Sequence, residues 1–254
     1  MAKLLADVGR ACSEYQNKAF VDLPCKRIQV DEIWSFVYAK AGHVGKAKAA
    51  PEGAGDIWTW TAICAETKLV PSWLVGSRDS IAATQFIADL ATRLSHRVQL
   101  TADGFRPYLQ AVEDAFGPDV DFAILQKIYG VPEGGEKRYS PLECIGTETK
   151  VIEGNPDPKH ISTSFVERQN LTMRMHMRRF TRLTNAFSKK VENHAHAVAL
   201  HFMYYNYVKI HKAHRMTPAM AAGVTDRLWE VADIVGVLAD WERKQKAITL
   251  SVQK

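Results

Sequence analysis

Three acidic residues in this sequence lie in contexts that could bring carboxylates together. Asp31 lies within the strand-like run 27–37, and Asp103 ends a short apolar run just before a glycine. Glu167 opens a helical pattern, and Arg174 follows it seven residues later. Carboxylates are ligands that Mg²⁺ prefers, and phosphodiester chemistry commonly uses two such ions about 4 Å apart. The pattern therefore predicts a two-metal site for phosphoryl transfer on nucleic acid, in which Asp31 bridges both ions and Asp103 and Glu167 hold one each.

Each acid by itself has an ordinary structural explanation. An aspartate in a strand is usually a turn or edge residue, and Asp103-Gly104 is a common turn pair. A glutamate near a helix start usually complements the helix dipole. The prediction therefore depends on the three acids occurring together, in the right order of elements.

The helix that carries Glu167 has a polar and an apolar face. At 100° per residue, Asn170, Arg174 and Arg178 fall within about 60° of Glu167. The adjacent apolar stripe is formed by Val166, Met173, Met177 and Phe180. We expect the apolar stripe to pack on a sheet and Arg174 to face the site, where it could hold a phosphate.

The distribution of charge favours a polyanionic ligand. The formal net charge is +5, and residues 168–191 contain seven basic residues and no acid. These are Arg168, Arg174, Arg178, Arg179, Arg182, Lys189 and Lys190. The loop 40–48 is also basic, whereas 113–148 is rich in acids. A solvated helix face explains the same charges equally well, so charge alone leaves both interpretations open.

The composition is that of a globular protein, with 46% hydrophobic and 24% charged residues. No apolar run approaches the roughly 20 residues of a membrane helix, and the N-terminus lacks a signal-peptide pattern. We therefore expect a soluble cytoplasmic protein without a membrane partner. The four cysteines form no C-x-x-C pair, and the pair His211/His214 has no evident third ligand, which argues against a zinc site.

Hydrophobic periodicity and turn signals predict an α/β protein. The predicted strands are 27–37, 57–64, 69–75, 97–102 and 121–129, and the predicted helices are 1–20, 80–95, 105–116, 162–182, 191–211 and 227–244. Residues 40–56 and 130–160 are predicted loops, and Thr217-Pro218 is a predicted helix start. This order is that of the ribonuclease H-like fold, a mixed five-stranded sheet flanked by helices with additional C-terminal helices. Its first and fourth strands are neighbours, which would bring Asp31 and Asp103 together.

Several segments resemble the DDE transposases of bacterial insertion sequences, and most closely the insertion-sequence-one family. The segments are Asp31–Trp34, Thr101–Gly104, Ser164–Leu171, Arg178–Lys190, Tyr204–Tyr207 with His211, and Thr217–Ala219. The resemblance covers about residues 25–225. It implies a ribonuclease H-like catalytic core whose triad Asp31, Asp103 and Glu167 binds two Mg²⁺ ions, with Mn²⁺ as a substitute.

The resemblance also implies an activity and partners. Such enzymes cleave DNA at transposon ends and transfer the 3′-hydroxyl into target DNA. The implied partners are double-stranded DNA and further copies of the chain, at the nucleoid when bound to DNA. By the resemblance, Arg174 is a DNA contact and Asn170 either supports the acids or contacts DNA. The basic stretch adds further predicted DNA contacts at Arg178, Arg179, Arg182, Lys189 and Lys190.

By the same resemblance, residues 1–22 are the end of an N-terminal DNA-binding helical segment, 23–190 the catalytic domain and 191–254 a C-terminal helical extension. Family members carry an N-terminal zinc-binding and helix-turn-helix segment, and this chain begins at what looks like its last helix. Two alternatives stay open. One is a catalytically silent DNA-binding remnant that regulates a full-length transposase, and the other is a ribonuclease H-like nuclease acting on hybrids or junctions.

Overall fold

A computed structural model describes residues 2–130 and 143–252 of the chain. The strands are β1 (Arg27–Val37), β2 (Gly55–Cys64), β3 (Trp73–Gly76), β4 (Val98–Ala102), β5 (Val120–Gly130) and β6 (Glu143–Glu153). The helices are α1 (Ala2–Ala19), α2 (Ala41–Val44), α3 (Ser80–Thr92), α4 (Pro107–Phe116), α5 (Ser164–His176), α6 (Val191–Tyr207), α7 (Pro218–Ala221) and α8 (Val231–Val252). Short 3-10 turns cover Pro158–His160 and Arg178–Phe180.

The strands form one mixed sheet in the order β3-β2-β1-β4-β5-β6. Strands β1 to β3 form an antiparallel meander, as predicted. Strand β4 then pairs in parallel with both β1 and β5, and α3 and α4 make the crossovers. The α/β class, the ribonuclease H-like arrangement of β1 to β5 and the pairing of the first with the fourth strand are confirmed.

Alternation along β1 directs its side chains to two cores, one that contains α3 and α4 and another that contains α5. Ile28 and Val30 are buried in one core together with side chains of α3 and α4. Ile33, on the opposite face, is buried in a second core with side chains of α5 and α6. Because successive side chains of a strand point to opposite faces, odd-numbered residues of β1 face α5 and even-numbered residues face α4.

Helices from the two ends of the chain pack closely together. Gly9 of α1 lies so close to α6 that an added Cβ would be 2.3 Å from the Cβ of His196. Trp241 of α8 donates a hydrogen bond of 2.8 Å from Nε1 to Glu14 of α1. The division of the chain at residues 22 and 190 stays a prediction.

The prediction of a loop over 130–160 was wrong for residues 143–153, and the prediction of a five-stranded sheet was also wrong. Strand β6 pairs antiparallel with β5 from Phe122↔Glu153 to Gly130↔Glu143, which makes a six-stranded sheet. Strand β6 is polar and largely exposed, so backbone pairing rather than an apolar face holds it. Within the rest of the predicted loop, 154–160 form neither a strand nor an α-helix, and 131–142 lie outside the described residues.

Several predicted boundaries were also wrong. The third strand begins at Trp73 rather than at residue 69, because the side-chain amide of Asn206 bonds both backbone groups of Val70, at 3.0 and 3.1 Å. The predicted helix 162–182 ends at His176 and 191–211 ends at Tyr207, whereas the last helix covers Val231–Val252. The short helix α2 lies in the predicted loop 40–56. Thr217 caps α7 as predicted, since its hydroxyl accepts from Met220 N.

Candidate active site

The sheet register brings Asp31 and Asp103 together. Strands β1 and β4 are parallel, with Gln29 opposite Thr101. Two residues further along both strands, Asp31 and Asp103 come side by side. Strand β4 ends at Ala102, so Asp103 stands at its carboxyl end while β1 continues to Val37. The aspartates, 72 positions apart in sequence (103 − 31), thus become neighbours.

A third carboxylate joins them. Asp31, Glu32 and Asp103 each offer a carboxylate oxygen, and these oxygens lie within 4.8 Å of one another. Alternation along a strand predicts that Glu32 points to the opposite face from Asp31, so Glu32 was not predicted to belong to the site. The two side chains still meet because β4 stops beside them and leaves this side of β1 open. Among residues 2–130 and 143–252, it is the only group of three such ligands that could hold a metal ion.

Arg78 lies against this acid cluster, which we define as Asp31, Glu32 and Asp103. Its Nε is 3.3 Å from Glu32 Oε2, and its Nη2 is 3.8 Å from Asp103 Oδ2. The guanidinium also stacks over the Phe105 ring at 4.1 Å. Arg78 thus offers one positive charge to two acids. It was not predicted as a site residue, because no sequence pattern marks this position between β3 and α3.

Asp31 is held from two sides. The backbone N–H of Glu32 donates to Oδ1 and the Asn170 amide donates to Oδ2, both at 2.8 Å. Even so, burial raises the pKa of Asp31 to about 7, and the charges of Glu32 and Asp103 add to the rise. Asp31 therefore binds a proton more readily than a solvent-exposed aspartate does.

Glu32 is almost fully enclosed, with a side chain 1% exposed. Burial raises its pKa, while the nearby Tyr108 hydroxyl and Arg78 oppose the rise. By strict hydrogen-bond geometry its buried Oε1 atom and the buried Tyr108 hydroxyl each have no partner among the described residues, although the two groups lie close enough to influence each other. A buried carboxylate oxygen without a partner is costly, unless a cation or water binds there.

Glu167 lies in the first turn of α5, and β1 fixes the start of that helix. The side-chain Oε1 of Gln29 accepts hydrogen bonds from the backbone N–H groups of Phe165 and Val166, at 2.8 and 3.2 Å. The Glu167 carboxylate itself accepts from the Thr163 hydroxyl at 2.6 Å and forms an ion pair with Lys127 of β5. It is therefore turned toward Lys127, beside the acid cluster rather than within it.

All four acids line one cleft of about 770 Å³. The basic side chains of this cleft are Arg78, Arg106, Lys127 and Arg174, and Asn170, Phe105 and Tyr129 also line it. The polar face predicted for α5 is therefore oriented as expected for Asn170 and Arg174. The apolar stripe is buried as expected at Val166, Met173 and Phe180.

The other predicted DNA contacts lie away from this cleft. Arg178 and Arg182 line a second groove of about 710 Å³ together with Lys40 and Phe36, because α5 ends before Arg178. The guanidinium of Arg179 is held by Ser188 Oγ at 2.7 Å and the Asn193 carbonyl, and burial lowers its pKa. Lys189 and Lys190 are exposed. A DNA role for these residues stays a prediction.

The histidines serve packing where the structure shows their contacts. His194 is fully buried, with Ser35 Oγ and Ser188 Oγ each 3.2 Å from one of its ring nitrogens. Burial lowers the pKa of His194 to about 4 and that of His201 to about 3.

None of the described helices is long and apolar enough to cross a membrane.

The family comparison bears on the C-terminal part of the site. Residues 151–210, which include Glu167, Asn170 and Arg174, match the model of the IS1 transposase family. The resemblance to that family is therefore confirmed over this segment. No curated protein matches the chain.

Two solved structures are similar at low identity. One is a chain of the simian T-cell lymphotropic virus intasome in complex with PP2A regulatory subunit B56 gamma, with TM-score 0.46, 12% identity, and coverage of 82% of this chain and 57% of that one. The other is from the piggyBac transposase synaptic complex with hairpin DNA, with TM-score 0.34, 10% identity, and coverage of 87% and 54%. The chain thus spans little more than half the length of either.

Proposed function

We propose that this protein is a DDE transposase that cleaves DNA at transposon ends and transfers the 3′-hydroxyl into target DNA. The observation that carries the proposal is the acid cluster, whose carboxylate oxygens lie within 4.8 Å of one another. The match of residues 151–210 to the IS1 transposase family supports the choice of DNA as substrate.

The residues of the cleft fit divalent metal ions. The cluster offers only oxygen ligands, which hard cations such as Mg²⁺ and Mn²⁺ take. The raised pKa of Asp31 and the Oε1 of Glu32, which has no partner by strict hydrogen-bond geometry, are both consistent with carboxylates that bind a cation. Asp31 and Asp103 would hold the ions, with Glu32 beside them and Glu167 as the third member of the predicted triad. Bound divalent ions would activate the attacking oxygen and stabilise the leaving oxygen.

The chain's own residues would position the substrate and the acids. Asn170 holds the carboxylate of Asp31 at 2.8 Å, which fixes the direction of its oxygens. Arg174 is exposed and lines the cleft, so it can hold a phosphate of the bound strand. Arg78 partly offsets the acid charge that would otherwise repel DNA.

The DNA surface that we propose runs outward from Arg174. Arg178 and Arg182 line the neighbouring groove, and Lys189 and Lys190 lie exposed further along the chain. Such contacts predict binding that weakens steeply with salt. Strand transfer brings two transposon ends together, so we expect a dimer or larger assembly on DNA.

The test is cleavage of plasmid and joining of pre-cleaved, labelled end DNA to a target plasmid in Mn²⁺. Asp31→Asn and Asp103→Ala are expected to reduce nicked and joined products to background, while both variants still bind DNA. Full metal-dependent nicking by Asp31→Asn would refute the assignment.

One observation favours a second candidate, a DNA-binding protein without catalysis. Glu167 is engaged by Lys127 and Thr163, outside the acid cluster. DNA binding with neither nicking nor joining in Mn²⁺ or Mg²⁺ would favour this candidate. Cleavage of RNA–DNA hybrids in preference to DNA duplexes would instead indicate a nuclease.

A further inference from the structure

Lys127 projects into the cleft from β5 and forms an ion pair with Glu167. The two side chains are 29% and 38% exposed, so solvent reaches the pair. The pKa of Lys127 is raised, chiefly by Glu167. The ammonium group thus stands at the carboxylate that the proposed function assigns to a metal ion.

We propose that Lys127 is a displaceable cation: it holds Glu167 while no metal is bound, and it contacts a DNA phosphate once a divalent ion takes that carboxylate. This inference rests on the proposed function, because it assumes that Glu167 is a metal ligand. It adds a residue and an order of events that the acid triad does not contain.

The contacts of Glu167 make this exchange possible. Its Oε1 accepts from the Thr163 hydroxyl and its Oε2 faces Lys127. A divalent ion could therefore replace the ammonium at Oε2 while the Thr163 contact still orients the side chain. A partly exposed ion pair is weak, so a divalent ion that binds this carboxylate can displace the ammonium group.

The residue type also suits the second role. Lysine is a compact point charge on a flexible stem, so its ammonium can move while the backbone of β5 stays paired. Arg174 lines the same cleft and is a predicted phosphate contact. Once released from Glu167, Lys127 would provide a second phosphate contact in the cleft beside Arg174.

The test is DNA binding by the purified full chain, measured by fluorescence anisotropy on a 20-base-pair duplex in EDTA and in Mn²⁺. Lys127→Met is expected to weaken binding about threefold or more in Mn²⁺ but by less than about 1.5-fold in EDTA, where Glu167 holds the lysine. Lys150→Met removes the same charge from the exposed strand β6 and should change both affinities equally. Calorimetry without DNA should show Mn²⁺ binding to Lys127→Met about two- to fivefold more tightly than to the unsubstituted chain, since competition is lost.

A double-mutant cycle in EDTA isolates the pair. Glu167→Gln frees Lys127 and should tighten DNA binding, and most of that gain should vanish when Lys127→Met is added. Asp103→Asn is the matched control, because it removes an acid that contacts Arg78 rather than Lys127. Its gain should be the same with or without Lys127→Met.

The outcomes separate the inference from the proposed function. Equal weakening by Lys127→Met in EDTA and Mn²⁺ would make Lys127 a fixed DNA contact, and no effect in either would leave only a structural ion pair. Both results overturn the inference, as does a failure of the chain to bind Mn²⁺. Metal-dependent nicking with either result would still support the transposase. The expected metal-dependent Lys127 effect without any nicking would overturn catalysis alone.

Discussion

The acid cluster predicts that Asp31→Asn stabilises the metal-free protein. Asp31 is buried beside two further carboxylates, and its pKa rises to about 7. Its ordinary pKa is about 3.9. The native protein therefore disfavours the ionised form relative to the unfolded chain, in which solvent surrounds the same group. An asparagine has nearly the same shape and carries no charge.

The magnitude follows from the difference in pKa. A rise of about three units corresponds to about 4 kcal/mol at pH values above 7. Asparagine offers one acceptor oxygen where Asp31 accepts from both Glu32 N and Asn170 Nδ2, so one hydrogen bond worth about 1 kcal/mol is lost. The net gain is about 2–3 kcal/mol, or about 4–12 °C in Tm for a chain of this size.

The pH dependence has a definite sign. Because the native pKa is higher than the unfolded pKa, the native state binds the proton more tightly. Stability from this group is fully present below about pH 4 and is lost as the pH rises toward about 7. The advantage of Asp31→Asn is therefore largest at pH 8 and falls to less than half at pH 5.

The assay is thermal and urea unfolding in EDTA at pH 8 and pH 5. Asp226→Asn, at an exposed position, removes the same charge and should shift stability by less than about 0.5 kcal/mol. Added Mn²⁺ should stabilise the unsubstituted chain and leave Asp31→Asn nearly unchanged. An Asp31→Asn protein no more stable than the unsubstituted chain at pH 8, or one with the same advantage at both pH values, would refute the reasoning.

Three further changes test the scaffold. Gly9→Ala should lower the free energy of unfolding by more than about 1 kcal/mol, because the new Cβ would lie 2.3 Å from a carbon of α6. Gly236→Ala is the control, since a Cβ at that position meets nothing within 4 Å, and it should raise the free energy of unfolding by about 0.5–1 kcal/mol. Urea titration measures both changes. Burial lowers the pKa of His194 to about 4, so the free energy of unfolding of the unsubstituted chain should fall by up to about 3 kcal/mol between pH 6.5 and pH 4. A steeper fall for His194→Gln over the same pH range would contradict this prediction. Gln29→Met and Gln99→Met should destabilise the chain similarly, since each glutamine makes two hydrogen bonds to the backbone. Only Gln29→Met should weaken Mn²⁺ binding measured by calorimetry, because Gln29 binds the start of the helix that carries Glu167.

The parts of the fold that are marked by apolar alternation were predictable. Strand β1 was predicted at its observed bounds because its apolar residues and flanking polar residues show a clear strand pattern. The parallel pairing of β1 with β4 followed from the order of elements, and it brought Asp31 beside Asp103. The polar face of α5 was predictable from helical periodicity as far as Arg174, where the helix still continues.

The parts that depend on contacts between distant segments were not predictable. Strand β6 is largely exposed, with Ile152 packed against the core, and its position depends mainly on backbone hydrogen bonds with β5. Glu32 joins the acids only because β4 ends beside it, and a strand pattern assigns it to the other face. Arg78 and Lys127 come to the cleft from a connection and from the far part of β5, and neither position has a local signal.

Strand β1 sets the geometry of the whole site. Asp31 and Glu32 come from it directly, and Gln29, one alternation before Asp31 on the same face, binds the first N–H groups of α5. These two hydrogen bonds fix the positions of Glu167 and Asn170 on α5. Asn170 in turn donates a hydrogen bond to the carboxylate of Asp31. Because β1 pairs with β2 from Ile28 to Val37 and with β4 up to Gln29, the backbone that carries the acids has little freedom to relax their crowding. The repulsion between them is therefore relieved by cations, either Arg78 and Lys127 or, as we propose, divalent metal.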